Sequence, residues 1–312
     1  MNRTILIAIG ISCALVSAAG IMHYHQPVNQ KTKLFPIVEN EKWGYIDNTG
    51  KVVIVPQFWM AYDFADGMAQ VGGLNENGEL KIGYINQSGK MAISPRFEYL
   101  DHENFSEGLA AVQERVPIND SYEDKWGYIN KKGEMVIKPQ FYEAGPFIKG
   151  IALVDTINDG WSTGQKYIDK TGRFVEKPDD KLNPPDEFSE GLTIPERFKG
   201  EELRYIDPSG KTIISDPSFQ CGFPFSEGLA AVRVHENFKY GYIDQTGKFI
   251  IPPQFDGADS FTNGIAKVEI GSWMKKEYRF GYIDKTGKYI WGPSAIPPEI
   301  IGTPKIPETP DK

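Results

Sequence analysis

The chain has 312 residues, of which 40% are hydrophobic and 24% are charged, and its formal net charge is −8 at pH 7. Proteins that bind nucleic acids through the phosphate backbone need a basic surface. This charge balance therefore argues against a nucleic-acid partner. The length alone would allow two ordinary domains, but the internal repetition described below favours one array.

The first 22 residues differ from the rest of the chain. Arg3 is their only charged side chain, residues 5–16 form an uncharged apolar run, and Ser17-Ala18-Ala19 follows. This order is typical of a secretory signal peptide cleaved after Ala19. Residues 5–22 could instead remain as a membrane anchor, because their length just suffices to span a bilayer. The sequence therefore predicts export to the periplasm, the cell surface or the medium, with no other membrane contact.

One phrase recurs seven times between about Leu34 and Trp291. Its form is aromatic–Gly–Tyr–Ile–Asp–x–x–Gly–Lys, as in Trp43–Lys51, Tyr240–Lys248 and Phe280–Lys288. A period of about 40 residues indicates a repeat protein, in which each unit shares its core with its neighbours. The glycines that close the phrase are Gly50, Gly89, Gly133, Gly172, Gly210, Gly247 and Gly287.

Each repeat contains three segments with the character of short strands. In the sixth copy, Leu229–Val234, Lys239–Asp244 and Lys248–Ile251 are rich in β-branched and aromatic residues. The loop that ends at Gly247 favours a hairpin with a G1 bulge, whose last position has a positive φ. An Asp or Asn opens each loop and can accept hydrogen bonds from the amides of the turn. These residues are Asp47, Asn86, Asn130, Asp169, Asp207, Asp244 and Asp284.

The third strand of several repeats meets a proline. We expect the strand to end there or to lie at the edge of its sheet, because proline removes a donor from the ladder. These prolines are Pro56, Pro95, Pro139 and Pro253. A connector of the form Phe-x-x-Gly-x-x-x-Val follows, too short for a crossover helix, and its aromatic rings are expected to fill the space between repeats. Because Trp43–Ile46 is apolar on both faces, we expect neighbours to cover both, with Gly44 allowing a neighbour's backbone or ring to approach closely.

These patterns predict an all-β fold built as a tandem array of about seven three-stranded antiparallel meanders. An open, curved, solenoid-like array is favoured, because neither end offers a spare strand to close a ring; a β-propeller is the alternative. The repeats occupy residues 34–291. A linker at 23–33 precedes them, and a Pro-rich tail at 292–312, predicted to be disordered, follows.

The repeated residues resemble the WG-repeat family, also called KWG repeats. The resemblance rests on Lys42–Lys51 followed by Pro56-Gln57-Phe58, and on Lys125–Gly133 followed by Pro139-Gln140-Phe141. It implies a β-rich repeat protein, often exported, without a settled general activity, and it supplies no catalytic residue.

The fourth and fifth copies depart from the family pattern. Gln165-Lys166 and Leu203-Arg204 stand where Trp-Gly is expected. We expect Lys166 and Arg204 to point outward or to lie where the array opens.

No constellation of residues predicts catalysis, a cofactor or a metal site. The four histidines lack zinc-finger spacing, and no nucleotide-binding or nucleophile motif occurs. The turn carboxylates raise a calcium hypothesis, but one carboxylate per turn, replaced by Asn in two copies, is a poor oxygen cage. We therefore expect a protein that is not an enzyme.

The loops that join the first two strands vary most between copies, and in repeat proteins such insertions often form the binding face. Trp161 and Trp273 lie in these loops, where an exposed aromatic ring could stack on a sugar or anchor a peptide. Either ring could instead fold over its own repeat. The leading hypothesis is an exported, non-enzymatic binding or scaffolding protein for a protein or cell-envelope polysaccharide. A structural spacer and a hydrolase acting in the repeat groove are the alternatives.

Overall fold

The computed structural model describes residues 33–97, 104–118, 121–158, 161–176, 188–195, 202–271 and 277–295. The predicted leader, nearly all of the linker, Trp273 and residues 296–312 lie outside these ranges. The chain divides into two compact units. The first unit comprises described residues 34–47 and 51–176, and the second comprises 188–295 together with the turn at 48–50. Strands are the only regular secondary structure in the described residues, which confirms the predicted all-β class.

The first unit contains four sheets. Sheet 1 consists of β1 (Phe35–Glu39), β2 (Lys42–Ile46) and β3 (Val52–Phe58). Sheet 2 consists of β4 (Met60–Ala61), β5 (Met68–Leu74), β6 (Leu80–Asn86) and β7 (Met91–Phe97). Sheet 3 consists of β8 (Leu109–Ile118), β9 (Ser121–Asn130) and β10 (Met135–Phe141). Sheet 4 consists of β11 (Glu143–Ala144), β12 (Ile151–Asn158), β13 (Trp161–Asp169) and β14 (Phe174–Val175).

The second unit contains three sheets. Sheet 5 consists of β15 (Arg204–Ile206) and β16 (Thr212–Ser215), with a bridge from Thr193 to Ile206. Sheet 6 consists of β17 (Phe219–Gly222), β18 (Ala230–Val234), β19 (Tyr240–Ile243) and β20 (Phe249–Phe255). Sheet 7 consists of β21 (Gly257–Ala258), β22 (Ile265–Ile270), β23 (Arg279–Asp284) and β24 (Tyr289–Ala295).

The seven sheets follow the seven copies of the sequence phrase. Within each described sheet the strands pair in chain order, every pair is antiparallel, and no sheet closes on itself. Four sheets carry a short extra strand before the predicted three-stranded meander, namely β4, β11, β17 and β21. The predicted tandem meanders are thus confirmed for the described residues, although the degenerate fifth copy keeps only two strands and a bridge.

The turns between the second and third strands have the predicted geometry. All seven closing glycines have φ between +79° and +85°. In the sixth copy, Asp244 Oδ1 accepts hydrogen bonds from the N–H groups of Thr246 and Lys248, and from the Thr246 hydroxyl. The carboxylate is therefore engaged in closing its own turn, which leaves less of it for a calcium ion.

Acid should weaken these turns. The hydroxyl at the second position of each turn is the largest cause that lowers the pKa of Asp169, Asp207, Asp244 and Asp284. A carboxyl with a lowered folded-state pKa adds stability above its unfolded value, and this stability is lost as the pH falls through the folded-state pKa. Replacing all four by Asn should therefore flatten the fall in melting temperature between pH 5 and pH 3, roughly the range in which Asp titrates.

A natural comparison is available for that experiment. Asn86 closes its turn through the same contacts, to the Ser88 and Lys90 N–H groups and the Ser88 hydroxyl. Asn86→Asp should therefore leave the neutral-pH melting temperature nearly unchanged and steepen its fall in acid. Equal acid sensitivity of the wild type, the fourfold variant and Asn86→Asp would contradict this role of the turn carboxyls.

The third strand does not end at its proline but lies at the edge of its sheet, which was the other prediction for this position. β10 runs through Pro139 to Phe141 and pairs again with β9 at Trp126. Between the pairs Ile137↔Tyr128 and Phe141↔Trp126, β10 has two more residues than β9 and therefore bulges. β10 is at the edge of its sheet, where the missing N–H of proline costs no ladder bond.

This bulge explains the glycine of the Trp-Gly motif. A Cβ atom on Gly127 would lie 2.5 Å from the Ile137 carbonyl oxygen and 2.8 Å from the Pro139 nitrogen. The same clash occurs at Gly44, Gly83 and Gly241. The close approach is therefore made by the backbone of the glycine's own sheet, and the expectation of a neighbouring repeat at Gly44 is corrected.

Within each unit, the motif tyrosine links a sheet to the one that follows it. The buried Tyr128 ring of sheet 3 packs against Phe147 at a centroid distance of 4.9 Å, and its hydroxyl donates to the Gly145 carbonyl at 2.8 Å. The equivalent ring pairs are Tyr45–Phe64, Tyr84–Phe105, Tyr205–Phe225 and Tyr242–Phe261. The connector phenylalanines therefore fill the space between successive sheets, as predicted.

Sheet 6 shows that neighbours cover both faces of a meander. Val232 and Ile243 belong to a core shared with sheet 5, whereas Ala231 and Tyr242 belong to a core shared with sheet 7. Alternate residues of one strand thus enter two different cores, which is why the motif is apolar throughout.

Turn carboxylates also connect successive sheets. Glu107 lies in a two-residue turn with φ +51°, and its Oε2 accepts the Gly150 N–H at 2.9 Å and contacts Lys170 Nζ at 2.9 Å. Burial opposes ionisation, but the bonds from Lys170 and Gly150 outweigh it and lower the pKa of the Glu107 carboxyl. Equivalent contacts join Asp66 to Gly108 and Lys131, and Glu227 to Gly264 and Lys285.

Candidate ligand-binding surface

The two ends of the sheets differ in character. One end carries the Asp and Glu turns, whose polar groups contact their own or the next sheet. The other end, named here the hairpin end, is where the first two long strands of each meander are joined. It corresponds to the variable loops of the sequence.

Sheet 3 extends at its hairpin end into a long ribbon. Strands β8 and β9 pair without interruption to Ile118↔Ser121, although the last pair between β9 and β10 involves Trp126. Residues 113–124, which join the first two motif strands of the third copy, are therefore mostly strand. Tyr122 on this ribbon is 66% exposed.

The ribbon carries two ion pairs. Arg115 Nε lies 3.5 Å from Asp124 Oδ1, and Lys125 Nζ lies 2.7 Å from Glu123 Oε2. By register, Tyr122 and Asp124 share a face of the ribbon. The ribbon thus presents an exposed aromatic ring next to two ion pairs.

Sheet 4 extends into a similar ribbon, which contains one of the two tryptophans predicted to bind a ligand. Trp161 begins β13 and pairs with Asn158 at the tip of the β12–β13 ribbon. Gly164 has φ +109°, close to a register shift on this ribbon. Trp273 lies outside the described residues.

In the second unit the hairpin between β18 and β19 contains an unusual residue. Phe238 has φ +56°, in the left-handed region, and its side chain is 53% exposed. The turn is fixed by a bond from the Phe238 N–H to the Val234 carbonyl at 3.1 Å and by one from the Lys239 N–H to Asn237 Oδ1 at 2.9 Å. A bulky side chain in this conformation is rare.

Arg233 lies against this phenylalanine. Its Nε donates to the Phe238 carbonyl at 2.9 Å, and its guanidinium carbon lies 5.4 Å from the Phe238 ring centroid and 5.8 Å from that of Tyr240. Burial raises the pKa of the Tyr240 hydroxyl, and the Arg233 charge acts against this rise. Within the described residues, Arg233 forms no ion pair with a carboxylate.

The WG containing repeat model matches five stretches that together cover more than half of the chain: residues 43–72, 82–115, 126–161, 204–238 and 240–272. The chain belongs to this family. The matches place the first, second, third, fifth and sixth copies of this WG-repeat protein within the family pattern, including the fifth copy, which lacks Trp-Gly. No curated protein matches the sequence.

Solved structures resemble this WG-repeat protein only distantly. A eukaryotic initiation factor shares 12% identity over 82% of this chain and 84% of its own, with a TM-score of 0.35. A Bacteroides caccae protein of unknown function shares 16% identity over 72% and 92%, with a TM-score of 0.30. An acylaminoacyl peptidase from Pyrococcus horikoshii shares 10% identity over 84% and 53%, with a TM-score of 0.41.

Two departures from the WG-repeat pattern stand at exposed positions. The Lys166 side chain is exposed, with Nζ 4.9 Å from the Phe174 ring centroid. Arg204 pairs with Ser215 and is also exposed. The predicted outward direction of both side chains is confirmed.

The sequence reasoning missed Phe238 and Arg233. A signal for them was present, because the sheet 2 hairpin carries Asn77-Gly78 with φ +78° at Gly78, whereas the sheet 6 hairpin carries Asn237-Phe238. A phenylalanine in the place of a turn glycine marks a position where local preference is overridden.

The described residues contain no cluster of three or more His, Cys, Asp or Glu side chains arranged to hold a metal ion. They also contain no helix with the length and apolar character needed to span a bilayer.

Proposed function

We propose that this WG-repeat protein is an exported, non-enzymatic binding protein that holds a protein or cell-envelope polysaccharide at the hairpin end of sheets 3 and 4. The observation that carries the proposal is the pair of ribbons, which project beyond their sheets and expose Tyr122. Export is supported by the charged, apolar and small-residue order of the first 22 residues.

The distribution of internal contacts supports a site at this end. The opposite end uses its carboxylates, amides and lysines to close turns and to join sheets. The faces of the strands are used in the shared cores. The ribbons lie outside these turns and shared cores. Paired strands also hold an aromatic side chain in place at a lower entropic cost than a flexible loop does.

The proposal can be tested with the full chain immobilised on a resin. Envelope proteins and purified cell-wall polysaccharide from the producing organism are applied separately, and the retained material is quantified. Tyr122→Ala combined with Trp161→Ala should weaken retention at least about ten-fold, because aromatic side chains dominate the energetics of interfaces.

The matched control is Phe174→Ala, which removes a 56% exposed aromatic ring from β14, away from the hairpin end. This variant should bind like the wild type. If the double variant retained as much material as the wild type, the ribbons would be excluded as the binding site. Retention of neither fraction would favour the structural spacer. Turnover of a retained ligand that a single Asp or Glu substitution abolishes would contradict the non-enzymatic assignment.

A further inference from the structure

Phe238 adopts a conformation that its type disfavours, and it does so on the surface. The left-handed region brings the Cβ atom of an L-residue too close to the following carbonyl, so that Gly and Asn normally occupy such turns. With half of its side chain exposed, Phe238 gains little from burial. The turn therefore presents an aromatic ring against the local backbone preference, and such outliers cluster at ligand-binding sites.

Arg233 is held beside this ring with part of its hydrogen-bonding capacity unused. Its Nε is fixed by the Phe238 carbonyl, and its plane lies near two aromatic rings. A guanidinium offers five N–H donors, of which the terminal groups form a fork that matches a carboxylate. No described carboxylate takes that place.

We propose that Arg233 and Phe238 form a binding site for an acidic side chain of a protein partner. The carboxylate is taken by the terminal nitrogens of Arg233, and an apolar group next to it in the partner packs on the exposed Phe238 ring. The proposal goes beyond the binding function proposed above, because it places a separate site in the second unit.

The surrounding charges favour a single carboxylate over a polyanion. Lys239, the nearest other cation in the turn, is paired with Asp256 at 2.6 Å, so Arg233 is the cation left to a ligand. Glu236 lies in the same turn, and the whole chain carries a net charge of −8. A polysaccharide with a carboxylate on every sugar would be repelled, whereas a peptide with one acidic residue among apolar ones would not.

Amide and arginine Nε NMR spectra of the full chain provide the test. The probe is acetyl-Glu-Leu-amide, titrated into the millimolar range, with acetyl-Gln-Leu-amide and oligogalacturonate as comparison ligands. We expect saturable shifts at Arg233 Nε and the Phe238 amide. Binding of the Gln peptide should be weaker by about three- to five-fold, the loss typical of an exposed charge pair.

Two variants test the two halves of the site, one variant for each half. Arg233→Lys should weaken the binding of the Glu peptide by a similar factor, because an ammonium cannot form the bidentate contact. Phe238→Asn should also weaken binding while keeping the melting temperature at or above that of the wild type, because Asn tolerates the turn conformation. Loss of binding in this variant can then not be attributed to unfolding.

Several outcomes would overturn the proposal. These are equal shifts with the Glu and Gln peptides, an absence of shifts at Arg233, or unchanged binding by both variants. Tighter binding of oligogalacturonate than of the Glu peptide would overturn the proposal that the ligand belongs to a protein. Tyr122→Ala with Trp161→Ala should leave this titration unchanged, so that failure at the ribbons and failure at Arg233 are distinguished.

Discussion

Replacement of Gly127 by alanine is expected to lower the free energy of unfolding by about 3 kcal/mol, near the upper end of overpacking effects. The new methyl group would lie 2.5 Å from the Ile137 carbonyl oxygen and 2.8 Å from the Pro139 nitrogen. Both are backbone atoms of a bulge fixed by the pairs on either side of it, so neither can move aside by changing a rotamer. Thermal unfolding followed by circular dichroism should show a fall of about 6–12 °C.

The chain contains its own control for this prediction. Lys166 occupies the same motif position in the fourth copy, and its side chain is exposed. Lys166→Ala should change the free energy of unfolding by less than about 0.5 kcal/mol, as exposed substitutions generally do. A Gly127→Ala protein as stable as Lys166→Ala would show that the bulge can shift, and it would remove the explanation of the Trp-Gly motif given above.

The sequence was sufficient to predict the strands, their antiparallel order and the hairpin turns. These features depend on local chemistry, such as the positive φ of Gly247 and the turn closed by Asp244. The β10 bulge was not predicted, because Pro139 is read locally as the end or the edge of a strand. The strand continues only because it lies at the edge of its sheet, where the missing donor has no partner to lose. That position is set by tertiary pairing.

The candidate site was less predictable than the fold. Variation in loop length located the hairpin end, but it did not show that the 113–124 segment is a ribbon with Tyr122 exposed on it. The sequence pattern did not identify Arg233 and Phe238 as candidate site residues, because their loop is short and lacks a tryptophan. Their relation depends on the left-handed turn, which brings the Phe238 carbonyl to Arg233 Nε. The sequence shows that the turn lacks its usual glycine, but it does not show the hydrogen bond between Arg233 and Phe238.

Replacement of Phe147 by alanine is expected to lower the free energy of unfolding by about 3–5 kcal/mol. The Phe147 side chain is fully buried and packs on Tyr128 of the preceding sheet at a centroid distance of 4.9 Å. It belongs to a core to which Leu109 and Ile137 contribute from sheet 3, and Val154 and Ile168 from sheet 4. The cavity therefore opens between two repeats and removes contacts from both.

The distinguishing measurement is amide hydrogen exchange. If the two repeats share one core, protection should fall together in β9 and in β12, although Phe147 lies in the connector between β11 and β12 of sheet 4. Phe174→Ala provides the matched control, because it removes an exposed ring from the same unit and should leave both strands protected. A loss of protection confined to sheet 4 would mean that each meander is stabilised by its own contacts. The apolar character of both strand faces would then need another cause than burial between neighbouring repeats.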